Sequence, residues 1–251
     1  MKILFLILTH HTTQDKLHAC LRTWVPKIES KHDLIVLGDC TMEDNIQGHS
    51  VYKPLNNETY YDLPEKMYRS YRHVLDMEWD YLVKTDDDCY LNIDNLHSSL
   101  AEMSSIDKLY TGQGIHFKTK TKPNYLSNCD DKLPPEQYTM YYAQGGCYIM
   151  SKSALNHSID KMQYKKPPFS AEDVMVGMAM TDSDIVLHDR PDLFDCGWVG
   201  RGWGPGTGGC RSRTPQECID IISNKHISVH RTNAFFIQKI HNNLRKITNK
   251  R

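Results

Sequence analysis

The sequence lacks a long apolar run, an excess of charge of either sign and a paired-cysteine motif, and each shortage removes a class of function. The amino-terminal apolar stretch, Ile3 to Leu8, is six residues, far short of the roughly twenty that span a bilayer. Thr9-His10-His11 follows at once, so the stretch is also a poor secretory signal and reads as a buried first strand. No membrane span is therefore expected in the chain, which as it stands reads as cytosolic. Net charge is −1, and the only basic cluster is a short tail from Lys246 to Arg251. That argues against a nucleic-acid-binding surface. None of the eight cysteines forms C-x-x-C, so a zinc site is not expected. Cys20, Cys89 and Cys147 sit in apolar surroundings and read as buried thiols. Cys196, Cys210 and Cys218 lie in a loop-rich stretch that could hold a disulfide in an oxidising compartment. Two sequons, at Asn57 and Asn156, matter only if the chain is secreted. No internal repeat and no convincing linker is visible, so residues 1–251 read as one domain, long enough for a sizeable core.

What is present alternates. Strands are predicted at Lys2–Leu8, Asp33–Leu37, Val51–Tyr52 and Tyr81–Thr85. Between them come a helix capped at Thr12 or Thr13 that carries Leu17, Cys20, Leu21 and Trp24, and a helix entered at Pro64 that carries Met67, Tyr71, Val74 and Leu75. A helix over Ile93–Met103 follows. This βαβ pattern implies an α/β fold with a Rossmann-like, mostly parallel central sheet flanked by helices. Ligands of such sheets collect at the carboxyl ends of the strands. The second half is less regular. Residues 116–138 read as a surface loop, Tyr141–Met150 as a strand broken by two glycines, and Ala171–Met180 as a helix. Ile185–His188 and His226–His230 read as strands, and Asn233–Ile247 as a terminal helix.

The chemistry gathers first at Lys84-Thr85-Asp86-Asp87-Asp88. Three adjacent carboxylates repel one another, and strands disfavour aspartate. A polar turn would tolerate them; a hard divalent cation with oxygen ligands would require them. Gly145-Gly146 weakens a strand unless something must approach its backbone closely. Glu172-Asp173 at a helix start offers a general base, although acidic residues are favoured there by the dipole alone. His226 and His230, four apart on one face of a strand, could complete a carboxylate metal site. The stretch Trp198–Gly206, with Arg201, has the composition of a lid over a phosphate-bearing ligand.

In order, Lys84-Thr85-Asp86-Asp87-Asp88, Gly145-Gly146-Cys147-Tyr148-Ile149-Met150-Ser151, Glu172-Asp173-Val174 and His230-Arg231 resemble the β1,3-glycosyltransferase family that includes the galactosyltransferases and Fringe. Leu21-Arg22-Thr23-Trp24 and Asn92-Ile93-Asp94-Asn95-Leu96 are similar to further elements of that family. The resemblance implies a GT-A fold, a UDP-sugar donor, a glycan or glycoprotein acceptor, Mn²⁺ or Mg²⁺, and inversion at the anomeric carbon. It implies Asp88 and His230 as metal ligands and Asp173 as catalytic base. Asp86 and Asp87 would contact the nucleotide or the metal shell, and Gly145 and Gly146 would line the donor pocket; Arg201 is added as a donor-binding residue from the composition of the glycine-rich stretch alone. Cys147 stands where the family often has a third small residue. A stand-alone member would act outside the secretory pathway, in a microbe or a large virus; an excised luminal domain would come from the Golgi. The competing classes are a metal-dependent phosphoesterase or nuclease and a non-catalytic carbohydrate-binding protein.

Overall fold

The computed structural model describes residues 1–117, 140–164, 171–197 and 214–248. The sheet grows outward from β1 (Ile3–Leu8), whose six residues are apolar without a break because both faces are covered. Ile3, Phe5 and Ile7 enter one hydrophobic cluster, and Leu4 and Leu6 enter the other. On either side of β1, in parallel, lie β2 (Asp33–Leu37) and β5 (Tyr81–Asp86). A short hairpin of β3 (Asn45–Ile46) and β4 (His49–Tyr52) extends the β2 edge, with β4 parallel to β2.

Beyond β5 the direction changes. β8 (Met140–Ser151) runs antiparallel to β5, β7 (Tyr110–Phe117) is antiparallel to β8, and the two-residue β9 (His188–Asp189) is parallel to β7. The eight-stranded order is β3-β4-β2-β1-β5-β8-β7-β9. Its parallel core, β4-β2-β1-β5, is the Rossmann-like part that the alternating sequence predicts.

Helices cover both faces. α1 (Gln14–Arg22), α3 (Ile93–Glu102), α6 (Pro215–Ser223) and α7 (Ala234–Thr248) contribute to the cluster that holds Phe5 and Val83. α2 (Leu63–Val74), α4 (Lys152–Ser158) and α5 (Glu172–Thr181) contribute to the one that holds Leu6 and Leu82. Gly177 lets α5 lie close on β8, since a Cβ there would stand 2.3 Å from Cβ of Tyr142. Ser151 caps α4 by accepting the Ala154 N–H.

A second, three-stranded sheet decides the position of the site. β6 (Tyr90–Leu91) follows the three aspartates and pairs antiparallel with β11 (Ser228–Val229); β11 in turn lies parallel to β10 (Phe194–Asp195).

Three local expectations are corrected. The strand over Ile185–His188 shrinks to His188–Asp189, because Ile185 and Leu187 are used in the core rather than in a ladder. The strand over His226–His230 shrinks to Ser228–Val229, so the two histidines do not share a strand face. Thr13 occupies the N-cap position of α1 without capping it, because its hydroxyl is drawn to Asp87.

Candidate active site

Residue pairing aligns the carboxyl ends of the central strands: Leu8 stands opposite both Leu37 and Asp86. The chain leaving β5 therefore turns just beyond the sheet edge, and Asp86, Asp87 and Asp88 diverge there. The turn is pinned from below. Trp24, buried after α1, donates its indole N–H to Cys89 O at 3.2 Å, and the Cys20 thiol lies 3.2 Å from Asp87 O. Asp87 points inward and is nearly buried. Its Oδ2 accepts hydroxyl hydrogens from Thr9 at 2.6 Å and Thr13 at 2.5 Å. That oxygen braces β1 and the α1 entry against the turn, a structural use the sequence does not reveal.

Asp88 turns the other way, toward His230, which β11 delivers by pairing Val229 with Tyr90. His230 Nδ1 lies 3.3 Å from Cys196 O. A carbonyl only accepts, so this nitrogen carries a proton, and Nε2 is the atom turned to Asp88 Oδ1, 3.0 Å away. With Nε2 unprotonated, the two atoms would offer a cation a pair of ligands. The spacing equals the edge of an octahedron whose ligands lie at roughly 2.1 Å. Burial acts to raise the Asp88 carboxyl, but His230 and Lys16 outweigh it and hold it below the usual carboxylate range. Cys89 lies within the same cluster, but its thiol donates to Gly146 O at 2.9 Å and burial pushes its pKa well up.

The paired glycines have a measurable cause. A Cβ on Gly146 would sit 2.4 Å from the His230 ring, and one on Gly145 would sit 3.1 Å from Asp173 Oδ2. What approaches the backbone is therefore the site's own machinery. Gly145 lines the cavity, and Gly146 forms the wall behind His230.

Lys84, in the middle of β5 and 1% exposed, ties the parts together. Its ammonium meets Asp86 Oδ1 at 2.6 Å and Glu172 Oε1 at 2.7 Å, and donates to Gly145 O. Burial alone would lower its pKa, but Asp86 and Glu172 raise it well above the ordinary value, so it stays charged. Burial raises Asp86 to about 6, with Lys84 and His230 opposing. Glu172 is thus committed to Lys84, and its neighbour is not. Asp173 accepts backbone N–H bonds from Gly145 at 2.9 Å and Val174 at 2.8 Å, and no cation pairs with it among the described residues. Burial, with Glu172 adjoining, pushes its carboxyl up to about 8.

Asp86, Gly145, Glu172, Asp173, His230 and Arg231 line one cavity of about 330 Å³. A second, of about 380 Å³, adjoins it and is lined by Thr9, His10, Thr13, Lys66, Asp87 and Asp88. Leu8, Tyr60, Leu63 and Asp86 border both. Of the residues singled out in sequence, Asp86, Asp87, Asp88, Gly145, Gly146, Asp173 and His230 are thus brought together. His226 is not among them: it stands beside Asn95, whose side-chain amide donates to its carbonyl. Arg201 and the glycine-rich stretch lie outside the described residues. Thr9, Thr13, Tyr60 and the bracing role of Lys84 are added by the structure. Of these only Lys84 had a sequence signal, a charge inside an apolar strand.

Residues 39–191 match the family model described as Galactosyltransferase. The pig UDP-GalNAc:beta-1,3-N-acetylgalactosaminyltransferase 1 is 28% identical over 144 residues, covering 54% of this chain and 41% of that protein. The enzyme of the same name from Mus musculus is 25% identical over 180 residues, covering 68% and 48%. The mouse Beta-1,3-galactosyltransferase 4 is 28% identical over 128 residues, covering 39% and 34%. The chain thus spans under half the length of these curated relatives. Among solved structures, galactosyltransferase LgtC in complex with donor and acceptor sugar analogues aligns with a TM-score of 0.43 at 14% identity, over 77% of this chain and 74% of its own. Since the family model matches more than half of its 251 residues, the chain belongs to the galactosyltransferase family.

Proposed function

We propose that the chain is an inverting glycosyltransferase that moves a hexose from a UDP-sugar to a hydroxyl of a glycan or glycoprotein, with a divalent ion, Mn²⁺ or Mg²⁺, held by Asp88 and His230. The names of the similar proteins support the reaction class. The observation that carries the reading is Asp173. It is a carboxylate with a raised pKa and no described cation partner, set in a cavity with Asp86 and His230.

The residues of this chain divide the work. Asp173 takes the proton from the acceptor hydroxyl, which is too weak a nucleophile without a base in hydrogen-bond reach. The backbone N–H groups of Gly145 and Val174 aim its two oxygens. Lys84 holds Glu172 in an ion pair, which keeps it out of the proton transfer. The ion, when bound, neutralises charge that develops on the leaving nucleoside diphosphate. A single base working with direct displacement gives inversion. The adjoining cavity, bordered by Thr9, His10 and Thr13, would take the nucleoside side of the donor.

Residence in a reducing compartment belongs to the same proposal, since Cys20, Cys40, Cys89 and Cys147 are thiols and Cys40 is exposed. Glycans found on Asn57 or Asn156 in native material would sink it.

The decisive experiment is Asp173→Asn. Transfer from a UDP-sugar is expected to fall by at least roughly a hundredfold while UDP affinity in Mn²⁺ stays within a few fold. Near-normal transfer by this variant rules Asp173 out as the base.

A further inference from the structure

Arg231 adopts a backbone conformation that suits glycine: its φ is +63°. Its neighbours impose it. His230 N–H donates to Asp195 O at 2.9 Å, and its ring is held between Cys196 O and Asp88. On the other side, Thr232 donates both its N–H and its hydroxyl to Asp88 O, at 2.9 and 2.8 Å. The chain is fixed one residue before and one residue after, and the strain falls on position 231.

A glycine would carry that conformation without strain, yet the position holds a long cation. Its stem crosses Gly197, itself at φ +75°, where a Cβ would stand 3.0 Å from Arg231 Cδ. Two left-handed residues thus meet face to face, and the exposed arginine joins Asp86, Gly145, Asp173 and His230 in lining the cavity. Strain of this kind persists where the surroundings over-determine it, and it concentrates at ligand clamps.

We infer that Arg231 is a diphosphate-binding residue, gripping the donor's phosphates beside the Asp88–His230 pair and holding the nucleoside diphosphate as it leaves. This rests on the nucleotide-sugar reading above. A guanidinium presents a planar fork of donors that matches two phosphate oxygens at once. Lys84, the buried cation of the same cavity, pairs with Asp86 and Glu172. In the transfer step the anomeric carbon–oxygen bond to the diphosphate breaks, and its electron pair goes to the phosphate oxygen that Arg231 holds. The acceptor oxygen bonds to the anomeric carbon and its proton passes to Asp173. Arg231 stays protonated throughout.

The test separates charge from strain. Arg231→Gly is expected to raise the melting temperature of the ligand-free protein by ~2–4 °C, because glycine relieves the backbone. The same variant should bind UDP roughly ten- to a hundredfold more weakly in Mn²⁺, while its affinity for uridine, which lacks phosphates, is unchanged. Arg231→Lys should keep part of the UDP affinity and none of the added stability. Three outcomes overturn the inference: UDP affinity of Arg231→Gly within twofold of wild type, an equal loss of uridine affinity, or a lowered melting temperature, which marks a merely structural arginine. If wild type binds no UDP in Mn²⁺, the nucleotide-sugar reading itself falls and takes this inference with it. Wild-type binding that Arg231→Gly retains removes the inference alone.

Discussion

Asp173 holds its proton to higher pH than an ordinary aspartate, and that single fact makes two measurable statements. As a base it acts ionised, so the transfer rate should climb with pH and level off above about 8. A pH–rate profile already flat from pH 6 excludes the assignment. The second statement concerns stability. The folded-state value lies above the unfolded one of 3.8, so folding favours the protonated form. That contribution is complete below about pH 4 and is lost as pH rises through about 8. An asparagine does not titrate, so Asp173→Asn should gain on wild type as the buffer moves from pH 6 to pH 9, by on the order of 5 °C in melting temperature. A constant difference across that range counts against the shift. Lys84 is the other residue whose loss is legible in advance. Lys84→Met strands Glu172 as a buried unpaired charge beside Asp86, at a cost of roughly 3–5 kcal/mol measurable by denaturant unfolding.

At the scale of elements, the site depends on how closely β8 is approached by α5 and by the segment after β11. Gly146→Ala puts a methyl group 2.4 Å from the His230 ring, so either the ring or the strand must move. Overpacking of this kind costs about 1–3 kcal/mol. Here it also displaces a proposed metal ligand, so the ion's effect on UDP affinity should largely vanish. Gly145→Ala meets only carboxylate oxygens at 3.1–3.2 Å and should be the milder change. A calorimetric comparison that ranks the two the other way contradicts the packing argument. The small sheet β10-β11-β6 matters for the same reason. Two residues of pairing, Ser228 with Leu91 and Val229 with Tyr90, place His230 beside Asp88.

For the whole molecule, ligand binding and stability are one quantity. A ligand at a hundred times its dissociation constant adds about 2.7 kcal/mol. For a chain of this length that corresponds to a rise of roughly 5–10 °C. UDP with Mn²⁺ should produce such a rise, and a chelator should abolish most of it. A shift of equal size in the chelator would remove the ion from the site. No helix of the described residues is long and apolar enough to cross a membrane.

The parallel core and the motif residues were legible because their causes are local. Continuous apolar runs build Ile3–Leu8 and open Tyr81–Asp86, and consecutive carboxylates, paired glycines and an acidic helix start stand out against any such background. Gly145-Gly146 announced a close approach but not what approached. Asp87 looked like its two neighbours, yet Thr9 and Thr13 turn its Oδ2 into a brace, because the end of β1 and the entry to α1 set their hydroxyls against it. His226 and His230 looked equivalent along the chain, and a two-residue ladder to Tyr90 and Leu91 separated them. Glu172 and Asp173 are chemically near-identical neighbours, and a lysine from β5, eighty-odd positions earlier in the chain, neutralises one and leaves the other. The chain by itself determined which kinds of group are present and in what order. Which oxygen is spent on structure and which is left for chemistry was decided by tertiary packing, because a carboxylate's pKa and its partners depend on distances that sequence separation does not encode.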